Sequence, residues 1–202
     1  MTEQETIEYI KCRNDIVYFA ENYCEINTID KGKTLIKLYD FQKQLLKELI
    51  SNDKILIHHS RQLGISKIIS IFLAWKNIFT DDYYSYYCKN FNVCRSMRQE
   101  AIKHMSKYKC NKLVTFDSNF ERLYGSENAV IELMSPKDLP ISINTKSALI
   151  FTNIVDENML QQLNKFKYIK LDWSVHPYRD LEWRNKMMNE MGIDLFKQQF
   201  LD

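Results

Sequence analysis

The apolar and polar positions of the chain change period several times, and each change marks an element. Between residues 5 and 25 the apolar positions Ile7, Ile10, Ile16, Phe19, Ala20 and Tyr23 recur at helical spacing, which predicts one or two short helices. Asp30-Lys31-Gly32-Lys33 then reads as a turn between β-branched residues that pair as a small hairpin. Residues 39–51 carry Phe41, Leu45, Leu46, Leu49 and Ile50 on one side, the stripe of an amphipathic helix. Lys54-Ile55-Leu56-Ile57 is a short strand candidate whose apolar residues run on without alternation, as in buried central strands. It leads through His58-His59-Ser60-Arg61-Gln62-Leu63-Gly64-Ile65-Ser66-Lys67 into an apolar helix over 68–79 that ends at Thr80-Asp81-Asp82.

The second half continues the alternation. A strand is expected at 83–88 and a helix at 93–107, followed by β segments at 113–116, 120–124 and 129–134. Gly125-Ser126-Glu127-Asn128 reads as a hairpin turn joining the last two. Residues 148–155 form another apolar strand closed by Asp156-Glu157, and 168–173 a further one. A turn at 176–180 then opens a helix from 181 that stops near Gly192. Strands separated by helices predict an α/β chain: three αβα layers around a mostly parallel sheet. The predicted division is a main domain over 1–166 and a small C-terminal subdomain over 167–202.

Composition narrows the class of protein. With 202 residues, 24.3 kDa and 45% hydrophobic positions, the chain suits one sizeable domain, or a domain with a short appendage, and can bury a proper core. Four glycines and three prolines are few, so collagen-like and linker-like chains are excluded and each glycine is expected where the backbone requires it. Lys and Arg number 28 against 26 Asp and Glu, a balance that by itself calls for no nucleic-acid partner. Cys12, Cys24, Cys88, Cys94 and Cys110 show no C-x-x-C spacing, which suits reduced thiols better than a disulfide framework or a zinc site. Residues 1–8 are polar and acidic, unlike a signal peptide, and the longest apolar run, 68–75, is too short to span a bilayer. A soluble chain with no membrane partner is expected.

The candidate chemistry lies between the first buried strand and the apolar helix. Strand, loop with one glycine, then helix is the layout of a phosphate-binding loop, where helix N-terminal amides meet anionic oxygens. Against G-x-x-x-x-G-K-[ST], Gly64 and Ser66 hold the second glycine and hydroxyl positions, while His59 replaces the first glycine and Ile65 the lysine. Arg61 and Lys67, each within a turn of Gly64, are the cations available in the lysine's place. Read in isolation, the segment fails the motif and is better described as an ordinary strand-to-helix turn with a glycine.

The string Ser60-Arg61-Gln62-Leu63-Gly64-Ile65-Ser66 resembles the deviant Walker A motif of the large terminase subunits of tailed bacteriophages, the ATPases that pump viral DNA into capsids. Leu38-Tyr39-Asp40-Phe41-Gln42 is similar to that family's adenine-recognising glutamine motif. Residues 71–79 with 84–105 look like its next helix, strand and helix, and 120–135 like its hairpin. Residues 166–200, with Asp172-Trp173, His176-Pro177, Arg179-Asp180, Trp183, Gly192 and Phe196, look like the segment that closes its ATPase domain.

The resemblance implies a P-loop NTPase fold using ATP and Mg²⁺. Gln42 would contact adenine, and Ser60, Arg61, Gln62, Gly64, Ile65, Ser66 and Lys67 would surround the triphosphate. Arg61 would stabilise charge on the γ-phosphate, Ser66 would ligate Mg²⁺, Asp156 would be the second metal ligand and Glu157 would activate water. A second assignment stays open: residues 148–153, with Thr152, as the family's coupling strand and the acidic strand lost. The implied function is ATP hydrolysis driving double-stranded DNA into a procapsid in the host cytoplasm, with a portal protein and a small terminase subunit as partners. The family's nuclease carboxylates have no counterpart before Asp202, so no nuclease activity is expected, and a separately encoded nuclease half is one partner to consider. The alternative function is a catalytically inactive terminase-like remnant serving as a binding or assembly module.

Other candidates read as structural. His58, His59, His104 and His176 lack metal spacing, Tyr83, Tyr84, Tyr86 and Tyr87 suit sheet packing, and Lys103, Lys107, Lys109 and Lys112 suit a solvated helix end.

Overall fold

The computed structural model describes residues 2–28, 32–105, 115–117, 127–140, 143 and 145–200. Two helices open the chain, α1 (Glu3–Asn14) and α2 (Ile16–Tyr23). Asp15 separates them: its extended backbone ends α1, while its carboxylate accepts from the Val17 and Tyr18 amides and starts α2. Strands β1 (Glu25–Thr28) and β2 (Gly32–Leu35) pair antiparallel as the expected small hairpin. Then come α3 (Asp40–Ser51), β3 (Lys54–His59), α4 (Ile65–Phe79), β4 (Tyr84–Cys88) and α5 (Phe91–Met105). The second half supplies β5 (Thr115–Asp117), β6 (Asn128–Leu133), β7 (Ser147–Thr152), α6 (Glu157–Gln162), β8 (Lys167–Leu171), α7 (Leu181–Met191) and α8 (Ile193–Phe200).

Six strands form one sheet in the order β5-β4-β6-β7-β3-β8, parallel at every pairing. Strands β3, β4, β6 and β7 are largely buried on both faces, which is why their apolar residues run on without alternation, whereas the edge strand β8 is mostly exposed. Ile55, Ile57, Tyr86, Val130, Leu149 and Phe151 face the main core, built with α2, α3, α4 and α5. Leu56, Tyr87, Ala129, Ile131, Leu133 and Ile150 face a smaller core with Met159 and Leu163 of α6. The three-layer α/β expectation is thus met. Helix α4 is buried almost all round, with Ile68, Ile69, Ile71, Leu73 and Ala74 at 0% exposure, because it lies between the sheet and its helical neighbours.

One sequence expectation is corrected. β6 has β4 on one edge and β7 on the other, and a strand has only two hydrogen-bonding edges. The hairpin proposed between 120–124 and 129–134 is therefore not how β6 is paired; its first arm lies outside the described residues. The segment from 167 onward starts inside the sheet, since β8 pairs with β3 in parallel register from Ile55↔Lys167 to His59↔Leu171.

Candidate phosphate-binding site

The loop of residues 60–64 connects β3 to α4, and its backbone has an unusual shape. Gln62 has φ 60° and Gly64 φ 74°, both in the left-handed region. For glycine this costs nothing; for glutamine it is uncommon and needs the surroundings to enforce it. Three carbonyls in a row are held from outside. The Arg179 guanidinium donates from Nη1 to the Arg61 carbonyl at 3.3 Å and from Nη2 to the Gln62 carbonyl at 3.2 Å. The Leu63 carbonyl accepts from Gln42 Nε2 at 3.0 Å. In a trans peptide the N–H points opposite to the carbonyl that shares its plane. Each of the Gln62, Leu63 and Gly64 N–H groups therefore points away from the side chain that holds the carbonyl of its own peptide.

Those three amides, with the Ile65 and Ser66 amides in the first turn of α4, have no acceptor among the described residues. Successive N–H groups along left-handed backbone, continued by the N-terminus of a helix, make a concavity for an anion. The arrangement explains Ile65 at the lysine position: its side chain is 2% exposed and packs in the main core, so only its amide serves the loop.

Two other loop side chains are committed elsewhere. The Ser60 hydroxyl donates to the Phe200 carbonyl, and the Ser60 amide donates to the Leu171 carbonyl at 2.8 Å. Lys67 forms an ion pair with Glu100 of α5. Arg61 is exposed.

Beyond the loop lies a cavity of about 390 Å³, lined by Ser66 and Lys67 of α4, Asn90 and Glu100 of the β4–α5 side, and Glu132 of β6, among others. Glu132 follows Val130 by two residues in β6, so it shares the sheet face covered by α4 and α5. Its carboxylate accepts from the Tyr86 hydroxyl. Burial raises its carboxyl above the ordinary range, the Tyr86 bond opposing this. The reading from sequence passed over Glu132. The signal was present: one acidic residue inside Ala129-Val130-Ile131-Glu132-Leu133, a run that otherwise reads as fully buried strand.

The expected acidic pair stands elsewhere. Asp156 is the N-cap of α6, its Oδ1 accepting from the Met159 amide at 2.8 Å, and Glu157 is exposed on that helix's first turn. Neither lines the cavity that Ser66 shares with Glu132. Thr152 closes β7 with its hydroxyl bonded to the Ile154 backbone. Gln42, 7% exposed, accepts from the Tyr39 amide at 3.1 Å while it donates to Leu63, which commits both ends of its amide to the backbone. Arg179, the other residue on the loop, entered the sequence reading only as part of the closing segment.

The remaining candidates fall into structural places. His58 bonds Tyr168 Oη at 2.8 Å and His59 the Ser60 carbonyl at 2.9 Å, on a strand whose alternate residues face opposite ways. Among the described residues no group of three His, Cys, Asp or Glu side chains suits a metal on its own, and no helix is long and apolar enough to cross a membrane.

No protein-family model matches the chain. Solved structures that resemble it over most of its length include two from phage large terminases. The large terminase of bacteriophage HK97 covers 87% of this chain with TM-score 0.56 and 11% identity. The large terminase ATPase domain of Thermus phage P74-26 covers 81% with TM-score 0.58 and 10% identity. The chain spans 47% of the HK97 protein and 92% of the P74-26 domain. At such identities the likeness is one of fold, and on that evidence the chain has the P-loop NTPase-like α/β fold of the large terminase ATPase domain.

Proposed function

We propose that this chain binds and hydrolyses ATP as the motor domain of a viral DNA-packaging machine, and that residues 61–66 receive the triphosphate. The observation that carries this reading is the row of five amides from Gln62 to Ser66 with no acceptor among the described residues, beside a cavity walled by a hydroxyl and a half-buried carboxylate. An anion with many oxygens satisfies such donors, and the apolar-flanked Glu132 gains from a cation opposite it.

The donor set fits Mg²⁺. Ser66 Oγ and the Glu132 carboxylate are hard oxygen ligands on the wall of one cavity, as a cation that keeps several waters requires. When bound, the ion would supply charge neutralisation at the phosphates. Glu132 thus takes the metal-ligand role expected for Asp156, whose carboxylate caps α6. Arg61 serves as the cation for charge developing on the transferred phosphoryl group, a place where an arginine is worth about 10³–10⁵ in rate. Gln42 shapes the loop through the Leu63 carbonyl, and the adenine contact expected of it would fall to its remaining N–H.

Chain order supports the assignment. In the terminase resemblance the acidic strand precedes a strand ending in threonine, which precedes the closing segment. Here β6 with Glu132, β7 ending at Thr152 and the segment from 167 follow in that order. Double-stranded DNA, a portal protein and a small terminase subunit are the partners this reading implies.

The test is ATP turnover by the purified chain, with and without DNA, beside Arg61→Ala, Glu132→Gln and Glu157→Gln. The expected result is turnover lost in the first two and retained in the third. Loss only with Glu157→Gln would return the acidic role to the α6 pair, and no turnover in any sample would favour the second reading, an inert binding module. That reading draws on Lys67, whose ammonium is already paired with Glu100.

A further inference from the structure

The closing segment of the chain is bonded to the loop backbone rather than packed beside it. Arg61 donates its amide to the Gln199 carbonyl at 2.9 Å, and Ser60 its hydroxyl to the Phe200 carbonyl, so the loop satisfies carbonyls that the end of α8 would otherwise leave open. Arg179 adds the two bonds to the Arg61 and Gln62 carbonyls. Its guanidinium lies over the Trp183 ring, 4.6 Å from the centroid, and over Phe200 at 5.3 Å, which fixes the plane of the fork. The turn that carries it is anchored to the start of α3: the Tyr39 ring meets His176 at 4.9 Å and Tyr178 at 6.0 Å. Tyr39 also gives its amide to Gln42, which holds the Leu63 carbonyl.

From this the geometry points to Arg179 as a positioning residue: by gripping two successive carbonyls it turns the Gln62 and Leu63 amides toward the anion and holds Gln62 in its left-handed conformation. The inference rests on residues 61–66 receiving phosphate. Arg179 itself faces the opposite side of the loop and touches no substrate. A loop with one glycine has too little intrinsic freedom to adopt this shape alone, and left-handed glutamine is disfavoured in the free chain. The planar fork reaches two carbonyls at once, which a lysine ammonium on a flexible stem does not reproduce. Binding at the loop and the docking of α7 and α8 are then one equilibrium, so a ligand on the loop tightens the closing segment.

The experiment compares wild type with Arg179→Lys and Arg179→Ala. It measures amide exchange of the free protein, and binding of a fluorescent ATP analogue and of inorganic tripolyphosphate. With Arg179→Lys, exchange at the bonded Ser60 and Arg61 amides should rise while β3 and β7 stay protected, and affinity for both ligands should fall by about 10-fold or more, the loss expected for charge-assisted bonds. Equal losses for both ligands place the effect on the phosphates. Unchanged loop exchange, a rise spread evenly over β3 and β7, or a looser loop with undiminished affinity would each overturn the inference. Wild type that binds neither ligand would overturn the phosphate reading itself, and the exchange comparison would still decide whether Arg179 orders the loop.

Discussion

A Cβ placed on Gly64 would stand 3.0 Å from Nε2 of Gln42, the amide that bonds the Leu63 carbonyl. The one glycine of the loop is thus required twice, by its φ of 74° and by the side chain that braces its neighbour. Gly64→Ala should cost about 1–3 kcal/mol of stability from backbone strain and displace Gln42. Thermal unfolding together with nucleotide binding measures this, and a variant that melts and binds like wild type would show that the loop accommodates a side chain.

Glu132 opposes function and stability. Its carboxyl is raised by burial, so the folded chain keeps a proton at pH values where the unfolded chain has lost it. Its contribution to stability is therefore greatest below the ordinary carboxylate range and declines as pH rises. Glu132→Gln, neutral and able to keep the Tyr86 contact, should be more stable than wild type at pH 7 and inactive, a pattern common at functional sites. Denaturant titrations at pH 5 and pH 8 read the change in slope.

Asp156 should behave as a cap. Asp156→Ala removes the acceptor of the Met159 amide and is expected to lower stability by about 1 kcal/mol with turnover retained. Turnover abolished in a folded Asp156→Ala protein would make it a ligand after all.

His104 sets an acid limit. It is 1% exposed, its Nε2 has no hydrogen-bond partner among the described residues, and burial first, then the neighbouring Lys67, holds its pKa down to about 4. The folded state carries it neutral, so its contribution is complete above the unfolded value of 6.5 and is lost as pH falls toward 4. The loss over that window is on the order of 3 kcal/mol. His104→Phe should flatten the stability profile between pH 6.5 and 4; an unchanged profile would assign the acid sensitivity to other groups.

Glu100 competes with anions for Lys67. Removing its charge with Glu100→Gln frees the ammonium at the cavity wall and should strengthen tripolyphosphate binding by roughly 2–5-fold, the scale of a half-exposed ion pair. Isothermal titration at low and moderate salt checks this, the gain shrinking as salt rises.

Most elements were legible because their signals are local. The stripe of Phe41, Leu45 and Leu49 predicted α3, and the unbroken Ile55-Leu56-Ile57 predicted a central strand, since period and burial follow from the neighbouring residues alone. The hairpin assigned to β6 failed because strand partners are chosen by tertiary contact: β6 pairs in parallel with β4, far upstream, and with β7, the next strand downstream. Asp156-Glu157 drew attention as an acidic pair after a strand, whereas the carboxylate beside Ser66 comes from β6, a single acid within an apolar run.

The sequence by itself determined that an α/β chain would carry strand, one-glycine loop and helix at residues 54–79, because hydrophobic period and backbone freedom are written residue by residue. The tertiary structure alone decided what that loop offers. Its peptides are oriented because Arg179 and Gln42 hold three successive carbonyls, and Glu132 and Ser66 line one cavity because β6 lies two strands from β3. Both depend on contacts across long separations in sequence, and chain closure over such distances is set by the packing of the whole sheet rather than by any local pattern.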